Sequence, residues 1–156
     1  MKRQKRKEGN LYKICLGDGA LVYAREGTFG AIAVYDSRTD HDLSIDEVVK
    51  LPVLFYVSVM DYAIKAGVWE IVGNRSLVDA PLPKVPPTGI KDVIDKGTFR
   101  IYFNNGQMRS ATREEIEGLE PAMSWHPERV QKRILDHYNG FPDRWKESLP
   151  SYYPLK

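Results

Sequence analysis

The histidines and the single cysteine are the residues whose spacing can be compared most directly with known chemical motifs. His41, His126 and His137 form no HExxH pattern. Cys15 lacks the second thiol of a CxxC metal clamp, and its place in an alternating strand predicts a small, buried or half-buried side chain. His126 and His137 fall at the two ends of a predicted helix, where polar residues are common. These residues predict neither a metal site nor a catalytic site.

Four glutamates are concentrated in a short segment after Arg113, namely Glu114, Glu115, Glu117 and Glu120. A pair such as Glu114 and Glu117 on one helix face could bind a cation or act as acid and base. Such carboxylates are equally typical of a solvated face near a helix N-terminus, or of an acidic patch that meets a basic partner. The residue types alone leave these three alternatives open.

The positive charge of the chain is concentrated at its N-terminus. The net charge of +2 includes five basic residues before position 8, which are Lys2, Arg3, Lys5, Arg6 and Lys7. The remaining 18 basic residues face 21 acidic ones, so the rest of the chain carries −3. We therefore expect residues 1–8 to be a basic flexible tail and residues 9–156 to be a single globular domain.

The first half of the chain has the pattern of a β-sheet. A period of two, in which Tyr12, Ile14 and Leu16 alternate with Leu11, Lys13 and Cys15, predicts a half-buried strand. Asp18-Gly19 predicts a two-residue hairpin turn into a return strand over 21–25. Residues 29–35 and the apolar run 53–59 predict two further strands. Between them, Ser44 and Glu47 have the spacing of a capping box and predict a short helix.

The last third of the chain changes to helical spacing. Asn105-Gly106 predicts a second hairpin, and Thr112 with Glu115 predicts the capped start of a short helix. A longer helix is predicted to begin at Pro127 and to end at Gly140. The predicted fold class is α+β and β-rich: a small twisted antiparallel sheet or an SH3-like barrel, covered by C-terminal helices.

The sequence also limits where the protein is expected to act. No run of apolar residues approaches the roughly 20 that a membrane-spanning helix needs. The basic N-terminus is not followed by an apolar segment of the secretory type, and one cysteine cannot form an internal disulfide. We expect a cytoplasmic protein.

The order of several segments resembles that of the Immunity protein 26 family of bacterial polymorphic-toxin systems. No single segment is specific, but together they extend along nearly the whole chain. They are KRQKRKEGN from Lys2, LGDG from Leu16, YDSRT from Tyr35, LPVLF from Leu51, DYAIKAGVW from Asp61, ATREEIEGLE from Ala111 and WHPERVQKRILDHYNG from Trp125. The resemblance implies a cytoplasmic protein that binds and neutralises a cognate toxin domain, without catalysis and without a cofactor or metal.

An inhibitor of this kind must cover the active site of the toxin or the surface that holds the toxin's substrate. Many such toxins are nucleases with basic clefts, so acidic side chains are expected to guide their binding. Two clusters are predicted to contact the toxin: Asp36, Asp40 and Asp42 after the third strand, and Glu114, Glu115 and Glu117 on the short helix.

Two alternatives belong to other functional classes. A small barrel with the basic N-terminus as an electrostatic arm would bind nucleic acid, and that binding would depend on salt and on residues 1–7. An enzyme would use the glutamates between Glu114 and Glu120 or His137, but no catalytic motif supports it. The segment order favours the protein-binding function, so neither a membrane nor a nucleic acid is expected as partner.

Overall fold

The computed structural model describes residues 3–91 and 97–143 of the 156-residue chain. The described residues form two compact units. The first comprises residues 3–84 and 124–135, and the second comprises residues 85–91, 97–123 and 136–143. The prediction of one domain over residues 9–156 stays a prediction.

The first unit is built on a six-stranded sheet. Its strands are β1 (Asn10–Cys15), β2 (Leu21–Glu26), β3 (Ile32–Tyr35), β4 (Val53–Val59), β5 (Glu70–Asn74) and, further along the chain, Ser124–Trp125. The strand order is β5-β1-β2-β3-β4, with Ser124–Trp125 at the outer edge of β4. Neighbouring strands are antiparallel except for this last pair, which is parallel.

Two short helices connect strands of this sheet. Helix α1 (Ile45–Val48) begins after Ser44, whose hydroxyl accepts a hydrogen bond from the Glu47 amide at 3.2 Å, which is one of the two hydrogen bonds of the predicted capping box. Helix α2 (Tyr62–Lys65) ends at Gly67, which has a positive φ of 78° and so suits glycine.

The central strands are buried on both faces of the sheet. Leu11, Tyr23 and Tyr35 pack with Val48 of α1 in one cluster. Tyr12, the residue after Leu11 on β1, is fully buried, and its ring centroid lies 6.5 Å from that of Trp69. Because successive side chains of a strand point to opposite faces, the core extends to both sides of β1.

The second unit is a three-stranded antiparallel sheet with a short helix. Its strands are β6 (Thr88–Lys91), β7 (Phe99–Tyr102) and β8 (Met108–Ala111), in the order β6-β7-β8, followed by helix α3 (Arg113–Ile116). Phe99 and Ile101 alternate along β7 and pack with Ile116 of α3. The strand Ser124–Trp125 of the first unit is β9, and the last helix, α4, spans Pro127–Tyr138.

The predicted fold class is confirmed: the chain is β-rich, has a C-terminal helix, and its sheets are antiparallel but for the short β4–β9 pair. Of the two predicted architectures, the open sheet is observed, and neither sheet closes into a barrel in the part of the chain that the structure describes. Among the same residues, no helix is long and apolar enough to cross a bilayer.

Three local predictions were wrong. The third strand begins at Ile32 rather than at residue 29, because Thr28–Gly30 forms a tight turn. The turn after β1 is longer than two residues: the Leu16 amide donates to the Ala20 carbonyl at 3.0 Å, and the positive φ angles fall on Gly17 and Gly19. Cys15 is exposed rather than half-buried, because it is the last residue of β1.

The N-terminal segment is held against the first unit. The Gln4 side chain donates to the carbonyl oxygens of Ile64 at 2.9 Å and Trp69 at 2.7 Å, and accepts from the Ile71 amide at 2.9 Å. It thereby joins the end of α2 to the start of β5. The prediction of a flexible tail does not hold for Gln4, nor for Arg6, whose ion pairs are described below.

Candidate partner-binding site

The first predicted cluster lies between β3 and α1, and we call Asp36, Asp40 and Asp42 the aspartate loop. The Asp40 carboxylate lies 2.9 Å from Nδ1 of His41 and is 94% exposed. Asp42 pairs with the Lys13 ammonium at 3.2 Å. The Asp36 amide donates to the Pro52 carbonyl at 2.9 Å, which fixes the start of the loop.

The three aspartates are exposed to solvent, although Ser37 between them is buried. Hydrogen bonding to His41 lowers the pKa of Asp40, so this carboxylate is ionised at neutral pH. The Asp42 carboxylate likewise raises the pKa of Lys13. Asp40 therefore contributes an exposed negative charge, and Asp42 is paired with a neighbouring lysine.

The second predicted cluster lies on α3 in the other unit, and we call Glu114, Glu115 and Glu117 the glutamate helix. Thr112 and Glu115 form the predicted capping box, in which each side chain accepts a hydrogen bond from the other residue's amide. Glu115 also pairs with Arg109 at 2.6 Å, and Glu117 pairs with Arg113 at 3.0 Å.

The three glutamates of this helix differ in what they do. The hydrogen bond to Arg109 and, as a smaller cause, that to the Thr112 amide lower the pKa of Glu115. Glu115 therefore stabilises the start of α3. Glu114 is exposed and lies outside the capping box. Of the three, Glu114 is the carboxylate that can be changed with the least consequence for α3.

Sequence reasoning missed a third surface, at the end of the main sheet where β2 turns into β3. Phe29 occupies the tip of this turn and is 61% exposed. Its φ of 52° and ψ of 35° are left-handed, a conformation that bulky residues rarely adopt. Two backbone hydrogen bonds close the turn, from Gly27 to Ala31 at 2.8 Å and from Ala31 to Thr28 at 3.1 Å.

The same end of the sheet exposes further apolar and aromatic side chains. Ile32 pairs with Val57, so the turn before β3 and the residues after β4 leave the sheet at one end. Met60 and Tyr62 follow β4 and are 36% and 41% exposed. The Tyr62 hydroxyl lies 3.1 Å from Nδ1 of His126.

Tyr62 also connects this end to the start of α4. Its hydroxyl donates to the Glu128 carboxylate, at 3.2 and 3.3 Å from the two oxygens. Desolvation and the Glu128 carboxylate raise the pKa of Tyr62, so the phenol keeps its proton at neutral pH. We call Phe29, Met60, Tyr62 and His126 the aromatic end.

Arg6 links the two loops that carry Phe29 and Met60. Its guanidinium pairs with Glu26 at 2.9 Å, directly before the Phe29 turn, and with Asp61 at 2.8 Å, directly after Met60. The Glu26 side chain is only 5% exposed and also accepts from the Tyr12 hydroxyl at 2.7 Å. A single side chain from the N-terminal segment thus fixes the two loops relative to each other.

A signal for this surface was present in the sequence. Gly27 and Gly30 bracket Phe29, and two glycines three residues apart are typical of a turn rather than of a strand. The apolar alternation of the following strand, Ile32–Tyr35, extended that prediction too far towards the N-terminus. The structure therefore exposes a phenylalanine that the sequence pattern placed in a strand.

No metal-binding group is found among residues 3–91 and 97–143, where no three His, Cys, Asp or Glu side chains lie close enough to hold an ion. His41 contacts Asp40, and His126 contacts Tyr62. His137 packs edge-on against the Tyr138 ring, with centroids 5.1 Å apart. Each histidine therefore has a local contact with one neighbour rather than a shared site.

Comparison with known proteins identifies the family of the chain. The model of the family described as Immunity protein 26 matches residues 7–100, which is more than half of the chain. The matched segment contains the aspartate loop and the Phe29 turn, and it ends before the glutamate helix. No curated protein and no solved structure was found to match. On the strength of the family match, the chain belongs to the Immunity protein 26 family.

Proposed function

We propose that this protein is the immunity partner of a cognate bacterial toxin domain, which it binds and neutralises by covering the toxin's active site or substrate-holding surface. The family match over residues 7–100 carries the proposal. The protein acts without catalysis, and it acts in the cytoplasm, where its single exposed cysteine stays reduced.

The negative charge of the chain beyond its N-terminal segment favours binding to a basic toxin, such as a nuclease. Beyond the five basic residues at the N-terminus, the chain carries −3. Opposite charge across an interface accelerates association and favours the correct partner. The aspartate loop and the glutamate helix are the proposed acidic contacts, with Asp40 and Glu114 as the residues whose charge is least tied to the fold.

Growth rescue tests this function directly. The proposed function predicts that a neighbouring gene encodes a large secreted protein with a variable C-terminal domain, and reading the neighbouring genes is the first step. That candidate toxin domain is then expressed in a host that lacks the pair, with or without the immunity chain. The domain alone should stop growth, and co-expression should restore it. A domain that is not toxic, or toxicity that the chain does not relieve, contradicts the proposed function.

Charge reversal tests the acidic contacts separately. The double variants are Asp36→Lys with Asp40→Lys, and Glu114→Lys with Glu117→Lys. Each should slow association with the toxin domain at low salt, because rim charges act mainly on the association rate. Asp79→Lys, an exposed carboxylate in the loop after β5, is the matched control. If neither double variant changes the rate or the affinity, the acidic clusters are not part of the interface.

The nucleic-acid alternative gains no support from the N-terminal segment. The guanidinium of Arg6 is committed to Glu26 and Asp61, so it contributes little free charge to an arm. Binding of RNA or DNA at low salt that disappears with residues 1–7 would restore this alternative.

A further inference from the structure

We propose that the aromatic end is the apolar anchor of the toxin interface, with Phe29 entering an apolar pocket on the toxin domain. This inference rests on the proposed function and adds the place of contact. It differs from the acidic clusters in chemistry, because it relies on exposed rings rather than on exposed charge.

The backbone of Phe29 indicates that folding does not select this side chain. A left-handed φ of 52° brings the β-carbon of an L-residue close to the following carbonyl, and Gly or Asn tolerates that position better. Burial does not compensate, because 61% of the residue is exposed. Strained residues of this kind are concentrated at functional sites, so the ring is expected to have a role outside the fold.

The composition of the surrounding surface fits a contact with another protein. Phe29, Met60 and Tyr62 are exposed together at one end of the sheet. Aromatic residues and methionine are enriched in protein interfaces, and a few aromatic anchors usually contribute most of the binding energy. The two loops that carry these side chains are joined through Arg6, which pairs with Glu26 and Asp61.

The surface is also held in place before any partner binds. Arg6 bridges the start of the Phe29 turn and the residue after Met60, through Glu26 and Asp61. Tyr62 is fixed by His126 and by the Glu128 carboxylate. Groups that are already ordered lose less entropy on association, which favours tight binding.

The charges at the rim of the aromatic end have both signs. The Asp61 side chain is 60% exposed and pairs with Arg6 at 2.8 Å and with Lys65 at 3.1 Å, and Glu128 adds a carboxylate beside Tyr62. An apolar centre with a charged rim of mixed sign matches a toxin surface that has an apolar pocket and a polar edge.

The test measures, by titration calorimetry, binding of the purified full-length chain to the purified candidate toxin domain that the growth-rescue assay uses. Phe29→Asn removes the ring while suiting the left-handed backbone, so the melting temperature should not fall. The dissociation constant should rise at least about tenfold, as expected for the loss of an interface anchor. Phe29→Tyr, which keeps an aromatic ring, should bind within about threefold of the wild type.

Val78→Gln is the matched control, because Val78 is an 88% exposed apolar residue in the loop after β5, outside the aromatic end and both acidic clusters. It should bind as the wild type does. Unchanged affinity of Phe29→Asn, or equal weakening by Val78→Gln, overturns the aromatic end as anchor. The proposed function still stands in that case if the wild type binds the toxin domain. If the wild-type chain neither binds the toxin domain nor rescues growth, both the proposed function and the proposed anchor are contradicted.

Discussion

Arg6 and Arg109 each form a short ion pair with a glutamate, and the two pairs lie in very different surroundings. Arg6 meets Glu26 at 2.9 Å, with a glutamate side chain that is 5% exposed. Arg109 meets Glu115 at 2.6 Å, with a glutamate side chain that is 38% exposed. The shorter contact belongs to the more exposed pair.

This difference shows that distance alone does not determine how much each ion pair contributes to stability. Water screens the Arg109–Glu115 pair, and exposed pairs of this kind contribute little to stability. Glu26 is removed from water, so the loss of Arg6 would leave its charge buried and uncompensated. Charge therefore supports the fold at the aromatic end, whereas the acidic clusters carry exposed carboxylates that we propose contact the toxin.

The largest expected effect is that of breaking the buried pair. Arg6→Ala should lower the free energy of unfolding by about 3 kcal/mol, because it leaves the Glu26 carboxylate without its cation. Urea denaturation measures this change. Lys5→Ala removes an equal charge from an exposed neighbour and should leave stability unchanged. Equal stability of the two variants would show that Arg6 is a surface charge after all.

The second effect appears at high pH. Burial, followed by the hydrogen bond to Glu26, raises the pKa of Tyr12 well above its ordinary value of about 10. The unfolded chain then loses the phenolic proton before the folded protein does, so stability is complete below about pH 10 and falls above it. The free energy of unfolding should decrease by about 1.4 kcal/mol per pH unit through this group.

Tyr12→Phe isolates that contribution, because it removes the titrating hydroxyl and keeps the ring. The variant should lack the part of the alkaline slope that belongs to Tyr12, while the slopes from other tyrosines remain. Urea unfolding at pH 9, 10 and 11 measures the difference between the two proteins. Parallel pH profiles would mean that the Tyr12 hydroxyl is not protected by the Glu26 pair.

A smaller effect of opposite sign is expected at the Phe29 turn. Phe29→Asn should raise the free energy of unfolding by up to about 1 kcal/mol, because it relieves a left-handed phenylalanine. Most substitutions destabilise a protein, so an increase here would be informative. Thermal unfolding measures it, and a clear loss of stability would mean that the ring is needed for folding.

The smallest effects are expected on the glutamate helix. Glu114→Lys should leave the melting temperature within about 2 °C of the wild type, because the residue is exposed and outside the capping box. Glu115→Lys breaks the capping box and the pair with Arg109, so it should lower the melting temperature further. Comparison of the two charge reversals tests whether α3 depends on Glu115 but not on Glu114. Equal melting temperatures of the two variants would contradict that difference.

The parts of the fold that were predictable from the sequence depend on local signals. The period of two along β1 and the capping box at Thr112 each reside in a few consecutive residues, and both the strand and the capping box are present. The predicted half-burial of β1 was wrong at Leu11, which is fully buried on the face opposite Tyr12. The start of β3 was placed too early because apolar alternation continues into a turn that its glycines define. Local patterns therefore predicted which elements form more reliably than where they begin.

The contacts of the aromatic end depend on residues that are distant in sequence. Arg6 and Asp61 are 55 positions apart, and Tyr62 and Glu128 are 66 positions apart. No short-range spacing of residues in the sequence predicts such pairs. The basic N-terminus was predicted to be a flexible tail because composition records the charge of Arg6 but not the buried carboxylate that it meets.

The most direct test of the proposed function is the affinity of the purified wild-type chain for the candidate toxin domain of the growth-rescue assay, measured together with that domain's activity. We predict a one-to-one complex with a submicromolar dissociation constant, in the range of specific protein complexes, and loss of toxin activity at equimolar chain. A toxin domain that remains fully active in the presence of excess immunity chain, with no complex detected, would contradict the account.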